Sequence, residues 1–254
     1  MAVIDCFTYF NEEEVLKLRL EELDPYVKYF VVVEASQTFT GEDKPYYFDE
    51  LPSWINQWKD RIVKVRFSFP RKDMTTWERE AYQRNQILVG LNQVAKADDR
   101  VVMSDADEIP RPLSIYGDIT AQLDVSQFFW SLNWQVPHHC NQGARPVVAT
   151  MRDITTPHAM RVQEMFRINN AGWHFSFLGN DHSDFVYKIE SFSHTEYNIN
   201  SVKHVDIMGS RQRYGIDPFG RFPLKYRVID GTYPYWVQEH KNELTHLMSE
   251  PPWR

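Results

Sequence analysis

Cysteine is scarce in this sequence, and positive charge is not in excess. Only two cysteines, Cys6 and Cys140, occur among 254 residues, too few for the disulfide framework of a small secreted protein. Cys6 lies in an apolar, strand-like run, so we expect a buried free thiol in a reducing, cytoplasmic compartment. The net charge of −7 at pH 7 argues against broad nucleic-acid binding, because that function requires a basic face.

Long hydrophobic runs are also missing. No apolar stretch approaches the roughly 20 residues that a membrane-spanning helix needs. Residues 1–5 lead directly into a strand-like run, without the basic segment and cleavage site of a signal peptide. We therefore expect no membrane span, no secretion and no anchor within this sequence.

Aromatic residues, in contrast, are abundant and make up 15% of the chain. Such rings either fill a core or lie exposed, where they stack on sugars or bases. Composition leaves both possibilities open. The length of 254 residues is enough for one large α/β domain or two small ones.

The first half of the chain alternates strand-like and helix-like patterns. Asn11 with Glu14, and Thr75 with Glu78, are capping pairs, so we predict helices that begin there. The second helix is predicted to continue to about Lys96. Repeated strand and helix units with short connections predict an α/β fold with a mostly parallel central sheet and helices on both faces. The predicted strands are Val3–Phe7, Val27–Val33, Ile62–Phe67 and Val101–Met103.

The second half of the chain is less regular. Strand-like runs at Phe128–Trp130 and Val147–Met151 have no clear helices between them, so we predict a smaller mixed β-region. Short helices are expected near Asp184–Phe192 and Ile199–Met208. The sequence has no internal repeat and no linker long enough to separate two domains, so we predict a single domain.

Three carboxylates, Asp105, Asp107 and Glu108, follow the fourth predicted strand. Their mutual repulsion is costly unless an opposite charge offsets it. A hard divalent cation, which takes oxygen ligands, is the simplest such charge, and ligands bind at the strand ends of open α/β sheets. The cluster therefore predicts a metal and phosphate site, and an acidic loop that caps a helix is the alternative.

Further polar residues are predicted to face the same edge of the sheet. Glu34 follows the second strand, as either a solvated loop residue or an acceptor of hydrogen bonds from a ribose or a base. Arg84 falls on the helix stripe that faces the sheet, so it needs a partner such as a diphosphate or Glu34. Arg79 and Asn85 lie on the same helix, and Lys188 is a candidate for neutralising phosphate charge.

His174 follows Gly172 and Trp173 in the second half of the chain. Its imidazole is either a structural hydrogen-bonding group or a ligand for an active-site metal. Because glycine allows sharp turns, we predict that this segment is a mobile lid that closes over a ligand. In that hypothesis His174 binds the metal or a diphosphate, and Trp173 packs on a sugar.

Four segments of the sequence form a specific pattern: Cys6–Glu12, Val33–Pro45, Asp105–Pro110 and Gly172–Ser176. Together they resemble glycosyltransferase family 17, the family of the β-1,4-mannosyl-glycoprotein N-acetylglucosaminyltransferase that adds the bisecting residue of N-glycans. They occur in the order of the family, and the match extends from Ile4 to about His194. Because the anchor and stem of the vertebrate members are not found in this sequence, it looks like a compact microbial or viral relative.

The resemblance implies a transferase with the GT-A fold that moves a hexosyl or N-acetylhexosaminyl group, most naturally N-acetylglucosamine. The implied donor is a UDP-sugar, the acceptor is a glycan or glycoconjugate, and the reaction inverts the anomeric carbon. The implied cofactor is Mn²⁺ or Mg²⁺. The single domain over residues 1–254 would then consist of a nucleotide-binding half, 1–110, and an acceptor-side half, 111–254.

The resemblance also implies roles for individual residues. Asp105 and Asp107 correspond to the Asp-x-Asp pair that holds metal and nucleotide, and His174 would complete the metal site. An inverting reaction needs a base for the acceptor hydroxyl, for which Glu108 is preferred over Asp181 and Glu190. The residues predicted to bind the nucleotide sugar are Phe7, Glu34, Lys44, Arg79, Arg84, Asn85, Asp105, Trp173 and Lys188.

Two other functions compete with this interpretation. A phosphatase of the haloacid-dehalogenase type also places Asp-x-Asp after a strand, but its first aspartate is a nucleophile near the chain start, whereas this motif begins at Asp105. A carbohydrate-binding protein without catalysis would use the aromatic residues as platforms, but it would not need concentrated carboxylates.

Overall fold

The computed structural model describes residues 1–141, 145–179 and 181–251. In these ranges the chain forms two β-sheets combined with helices. The strands, in chain order, are β1 (Val3–Thr8), β2 (Tyr29–Ala35), β3 (Ile62–Phe67), β4 (Arg100–Asp105), β5 (Glu108–Pro110), β6 (Ala121–Leu123), β7 (Ser126–Phe129), β8 (Trp134–Gln135), β9 (Val147–Thr150), β10 (Arg167–Ile168), β11 (Gly172–Ser176) and β12 (Lys225–Tyr226).

Short helices connect and cover these strands. No helix in the described ranges is both long enough and apolar enough to cross a membrane. The α-helices are α1 (Glu13–Leu23), α2 (Thr76–Asn85), α3 (Ile87–Val94), α4 (Pro157–Val162), α5 (His182–Ser191), α6 (Asn200–Lys203), α7 (Val205–Tyr214) and α8 (Tyr235–Glu239).

The α/β class predicted from the sequence is confirmed, but the larger sheet is mixed. Its order is β10-β6-β9-β4-β1-β2-β3. Strands β3, β2, β1 and β4 are parallel neighbours, whereas β9 lies antiparallel between β4 and β6. All four residues of β9 are buried, and a fully buried strand has the same apolar pattern in either direction. The sequence pattern therefore could not reveal its antiparallel pairing.

Helices lie on both faces of the larger sheet because side chains alternate along each strand. On one face, Phe7 belongs to a core cluster with Leu16 and Leu20 of α1. On the other face, Cys6 belongs to a separate cluster with Leu91 of α3. Complete burial of a leucine side chain contributes about 2 kcal/mol relative to exposure, so these two clusters stabilise the packing of α1 and α3 on opposite faces of the sheet.

The two predicted helix starts have different outcomes. The capping box of Thr75 and Glu78 is present at the start of α2, as predicted. The prediction for Asn11 was wrong, because Glu12 is the N-cap of α1 and makes no side-chain capping bond. The carboxylate of Glu12 instead accepts from the backbone N–H of Phe10 at 3.1 Å.

The long helix predicted to reach Lys96 is interrupted. It ends at Asn85, and α3 begins at Ile87, with Gln86 as the junction. The Gln86 N–H donates to more than one carbonyl of the preceding turn, which is common at helix ends. Both helices pack against β1 and β2, and α2 ends beside the acidic cluster, where Arg84 contacts Asp105.

Candidate active site

Asp105 is the last residue of β4, and two arginines hold its carboxylate. Its Oδ2 lies 2.7 Å from Nη2 of Arg84 on α2 and 3.0 Å from Nη2 of Arg161 on α4. Its Oδ1 accepts from the hydroxyl of Thr8 at 2.9 Å. Burial alone would raise the pKa of Asp105, but the two guanidinium charges outweigh it and hold that pKa well below its usual range. Both carboxylate oxygens therefore already have protein donors.

Arg84 was predicted to need a partner, either Glu34 or a diphosphate. Its guanidinium is paired with Asp105 and with Glu80 on its own helix, and Glu34 is paired with Lys44. A contact of Arg84 with a diphosphate stays a prediction. The pKa of Arg84 is raised, because these carboxylates outweigh the opposing effect of burial. The arginine was correctly predicted to face the sheet, but its partner lies two strands away from Glu34 in the sheet order.

Glu108, the preferred candidate for the base, is buried beside the same arginine. Nη2 of Arg161 donates to its Oε1 at 3.1 Å, and its Oε2 accepts from the backbone N–H of Asp105 at 2.9 Å. Burial raises the pKa of Glu108, although Arg161 opposes the shift. Glu108 thus links the loop after β4 to α4, and the role of base remains a prediction.

Arg19 binds the backbone of this loop, and it was not among the site residues predicted from the sequence. Its side chain is fully buried and paired with Asp5 at 2.6 Å. It also donates to the backbone carbonyls of Asp105 at 3.0 Å and Glu108 at 2.8 Å. A charged residue on the apolar stripe of α1, beside a strand that carries an aspartate, was the signal that could have identified it.

Asp107 has a different environment from Asp105. Its Oδ1 lies 3.4 Å from Nε2 of His174, and its Oδ2 lies 3.4 Å from Nζ of Lys188 on α5. Burial would raise the pKa of Asp107, but the charges of His174 and Lys188 hold it below its usual range. These contacts are longer than normal hydrogen bonds of charged groups, so Asp107 is held less tightly by its neighbours.

His174 and Lys188 both retain a positive charge more readily than usual. Burial alone would lower the pKa of His174, but the charge and hydrogen bonding of Asp107 outweigh it and raise that pKa. Burial alone would also lower the pKa of Lys188, but Glu12 and Asp107 raise it. Glu12 accepts from Lys188 at 3.0 Å. The group therefore offers a carboxylate, an imidazole and an ammonium next to one another.

The predicted mobile lid is wrong, because Trp173 and His174 lie inside a strand. Strand β11 pairs with β5, where His174 is opposite Glu108, and with β7, where it is opposite Gln127. Trp173 is 2% exposed and donates to the carbonyl of Thr232 at 2.9 Å. The strand fixes the position of His174, and the indole belongs to the core.

A cleft of about 800 Å³ is lined both by Asp105 with its arginines and by Asp107 with His174 and Lys188. Such a volume is sufficient for a ligand of nucleotide-sugar size. A smaller pocket of about 100 Å³ shares some of its lining residues, among them Phe10 and Phe39. The lining of the large cleft includes Thr8, Glu12, Glu80, Arg84, Asp105, Asp107, Glu108, Asp124, Arg161, His174 and Lys188.

Two predicted donor-binding residues, Glu34 and Lys44, form a buried pair. Nζ of Lys44 lies 2.7 Å from Oε1 of Glu34, and Glu34 also accepts from the backbone N–H groups of Tyr47 and Phe48. Burial raises the pKa of Glu34 and lowers that of Lys44. Lys44 lines the small pocket, while Glu34 fastens the loop that follows β2.

Other residues predicted to bind the donor are engaged elsewhere. Phe7 is fully buried with the Arg19 guanidinium 4.5 Å from its ring centroid. Arg79 donates to the carbonyls of Phe39 and Lys72. The side chain of Asn85 accepts from the backbone N–H of His158 at 3.0 Å. None of Phe7, Arg79 and Asn85 lines the cleft in the described part of the chain.

The two remaining candidates for the base lie at the ends of α5. Asp181 is the N-cap, and its side chain accepts from the Asp184 N–H at 2.9 Å. Glu190 is exposed and lies 2.6 Å from Nζ of Lys203. Neither side chain lines the cleft formed by the described residues.

The fold and the site define an α/β enzyme whose cleft lies where the strands of the larger sheet end. The sequence model of glycosyltransferase family 17 matches residues 1–228. The chain belongs to this family and is a glycosyltransferase, which confirms the resemblance of its four segments. No curated protein sequence matches the chain.

Proposed function

We propose that this enzyme transfers N-acetylglucosamine from a UDP-sugar to a hydroxyl of a glycan, with inversion of the anomeric carbon. The observation that carries the proposal is the arrangement of Asp107, His174 and Lys188 in one cleft with Asp105. A lysine ammonium beside a carboxylate and an imidazole that can hold a divalent cation suits a ligand with a diphosphate, whose charge the acidic residues would otherwise repel.

The strand order supports a GT-A fold as part of this proposal. The four parallel neighbours β3, β2, β1 and β4 have the order 3-2-1-4, which is also found in the doubly wound sheets that bind nucleotides. In such sheets the ligand lies outside the carboxyl ends of the strands, and Asp105 ends β4.

We propose Asp107 and His174 as the protein ligands of a divalent cation, Mn²⁺ or Mg²⁺. A carboxylate and a neutral imidazole can both bind a divalent cation, so the cation would displace the proton that Asp107 favours on His174. Asp105 fits this role less well, because both its oxygens already accept from Arg84, Arg161 or Thr8. No group of three possible protein ligands occurs among the described residues, so the donor diphosphate or water would supply the rest. A bound cation would offset the negative charge that develops on the leaving diphosphate.

Lys188 would bind the diphosphate directly. Its raised pKa keeps the ammonium charged, and Glu12 holds it at 3.0 Å so that it points toward Asp107. A fixed positive charge beside the leaving group stabilises a transition state in which negative charge moves onto the phosphate oxygens.

The small pocket supports a nucleoside subsite beside this centre. Its lining combines the aromatic rings of Phe10 and Phe39 with the amide side chains of Gln37 and Gln83. A flat base can pack against such rings, and the amides can hydrogen-bond its edge. Lys188 lines both this pocket and the large cleft, so a nucleoside here would have its diphosphate next to Asp107.

The two competing functions receive less support. A phosphatase nucleophile must have a free oxygen to attack phosphorus, whereas both oxygens of Asp105 accept from protein donors. A carbohydrate-binding protein without catalysis does not agree with membership of a glycosyltransferase family.

A screen of donor hydrolysis without acceptor tests the proposed function. UDP-N-acetylglucosamine, UDP-galactose and GDP-mannose are each incubated with the enzyme and Mn²⁺, and the released nucleotide is measured against the same reactions with chelator. We expect release of UDP from UDP-N-acetylglucosamine, with a clear dependence on the cation. Preferential release of GDP, or equal rates in chelator, would contradict the proposed donor or cation.

A further inference from the structure

The carboxylates of the cleft have different partners, and this narrows the choice of catalytic base. Asp105 and Glu108 are both held by Arg161, and Glu80 is paired with Arg84. Asp107 and Glu12 both contact Lys188, beside the proposed diphosphate. These carboxylates lie with the leaving group, whereas the base of an inverting reaction approaches from the opposite side of the sugar.

Asp124 is the remaining carboxylate among the described residues that line the cleft, and it directly follows β6. Through the shared partner Val147, Gln122 of β6 is in register with Met103 of β4. Asp124 is therefore level with Asp105, with the segment that leads into β9 between them. Two strand spacings, about 9.5 Å, separate the two backbone positions, and both side chains line the same cleft.

The backbone on both sides fixes Asp124 in this position. Its N–H donates to the carbonyl of Ile168 at 2.9 Å, and its carbonyl accepts from the N–H of Ala171 at 2.8 Å. Nε of Arg145 lies 3.1 Å from Oδ1. The contact of Oδ2 is weaker, since Nε2 of His138 is 3.7 Å away on a side chain that is 94% exposed. Oδ2 is therefore the oxygen that can accept a proton in the cleft.

We infer that Asp124 is the base that deprotonates the acceptor hydroxyl, and that the acceptor sugar lies on its side of the cleft. This inference rests on the proposed inverting transfer. The hydroxyl proton passes to Oδ2 of Asp124 while the hydroxyl oxygen forms a bond to the anomeric carbon. The bond from that carbon to the diphosphate oxygen breaks, and its electron pair leaves with UDP.

The surroundings of Asp124 suit a hydroxyl-rich ligand. Gln127 and Asn141 line the same cleft, and the amide of Asn141 donates to the carbonyl of Val125, next to Asp124, at 2.7 Å. Side-chain amides and a carboxylate are the groups with which proteins orient sugar hydroxyls. The ligand class of this side is thus a neutral glycan with a free hydroxyl.

Replacement of Asp124 by asparagine and by glutamate tests the assignment. Asn retains an oxygen that can accept from Arg145 but cannot take a proton, whereas Glu keeps the carboxylate. The reaction measured is donor hydrolysis with Mn²⁺, in which water takes the place of the acceptor hydroxyl and must lose a proton to the same base. We expect Asp124→Asn to reduce kcat of this reaction at least about 100-fold, with less than a threefold change in the donor KM. Asp124→Glu should retain at least tenfold more activity than Asp124→Asn, and UDP affinity measured by calorimetry should be unchanged in both.

Asp98→Asn is the matched control, because it removes an exposed aspartate that is paired with Arg152. It should leave turnover unchanged. Wild-type turnover in Asp124→Asn would overturn the assignment and leave the proposed function intact, and so would a loss of turnover explained by weaker UDP binding. A wild-type enzyme that turns over neither UDP-N-acetylglucosamine nor UDP-galactose would overturn both the assignment and the proposed function.

Discussion

Asp105 and Asp107 are separated by one residue, but the protein holds them in different ways. Asp105 is bound by Arg84 and Arg161 at 2.7 and 3.0 Å, whereas Asp107 contacts His174 and Lys188 at 3.4 Å. Short contacts with complete pairing stabilise a fold, and longer contacts leave a carboxylate able to exchange partners for a ligand. The comparison assigns a mainly structural role to the first aspartate and a ligand-binding role to the second.

The largest effect on stability is expected for Asp105→Asn. The substitution removes one of the two carboxylate partners of each arginine and leaves Arg84 with Glu80 and Arg161 with Glu108. The side chains of Arg84 and Arg161 are only 9% and 1% exposed. Loss of one partner of a buried pair costs about 3–5 kcal/mol, and because the Asp105 side chain is 31% exposed we expect the lower end of this range. Denaturant unfolding measures the change, and a variant as stable as the wild type would show that Asp105 is not a structural residue.

Asp107→Asn should affect donor turnover much more than stability. We expect the free energy of unfolding to fall less than in Asp105→Asn, because the contacts of Asp107 are long and Lys188 keeps Glu12 as a partner. Donor turnover should fall at least about 100-fold, because the amide loses the charge that would hold a cation. Turnover and thermal melting are measured on the same preparation, with Asp98→Asn as the control. Wild-type turnover in the folded variant would show that Asp107 does not take part in the donor site.

The pH dependence of stability should separate Asp105 from an ordinary carboxylate. The pKa of Asp105 is depressed in the folded protein, through Arg161 and Arg84 acting against burial. Its contribution to stability is therefore complete above the usual pKa of about 3.9 and is lost as the pH falls below it. Between pH 6 and pH 3, the wild type should lose more stability than Asp105→Asn. Parallel curves from denaturant titrations would argue against this linkage.

The smallest effect is expected for Trp173→Phe. The substitution loses the hydrogen bond to the carbonyl of Thr232 and leaves a small cavity in the core, at a combined cost of about 1–2 kcal/mol. UDP affinity should not change, because Trp173 lies outside the cleft. A loss of UDP affinity in Trp173→Phe would indicate that this indole contacts the donor.

His174→Ala, at the next position, should weaken UDP binding in Mn²⁺ about tenfold.

The sequence predicted those features that depend on local patterns. The strand Ile62–Phe67 was located with its correct bounds, and the capping box at Thr75 was found because its residues are close in sequence. The carboxylates Asp105 and Asp107, and the sheet-facing side of Arg84, followed from the same kind of pattern. Their roles as ligands of metal and nucleotide stay predictions.

Features that depend on distant pairing were missed. Nothing in the short helix α4 distinguishes Arg161 until the fold brings it to Asp105 and Glu108. The glycine before Trp173 indicated a loop, but Gly172 is needed for another reason. A Cβ there would lie 2.3 Å from the carbonyl oxygen of Ile109 on the neighbouring strand. Close strand packing and a mobile turn both favour glycine, so the sequence alone could not separate them.

Titration of UDP by calorimetry, with Mn²⁺ and with chelator, tests the central claim most directly. The claim is that Asp107, together with His174 and Lys188, binds the donor diphosphate through a divalent cation. The account predicts that the wild type binds UDP tightly only with Mn²⁺, and that Asp107→Asn binds it weakly under both conditions. Equal UDP affinity of the wild type in Mn²⁺ and in chelator, or full Mn²⁺-dependent affinity in Asp107→Asn, would contradict it.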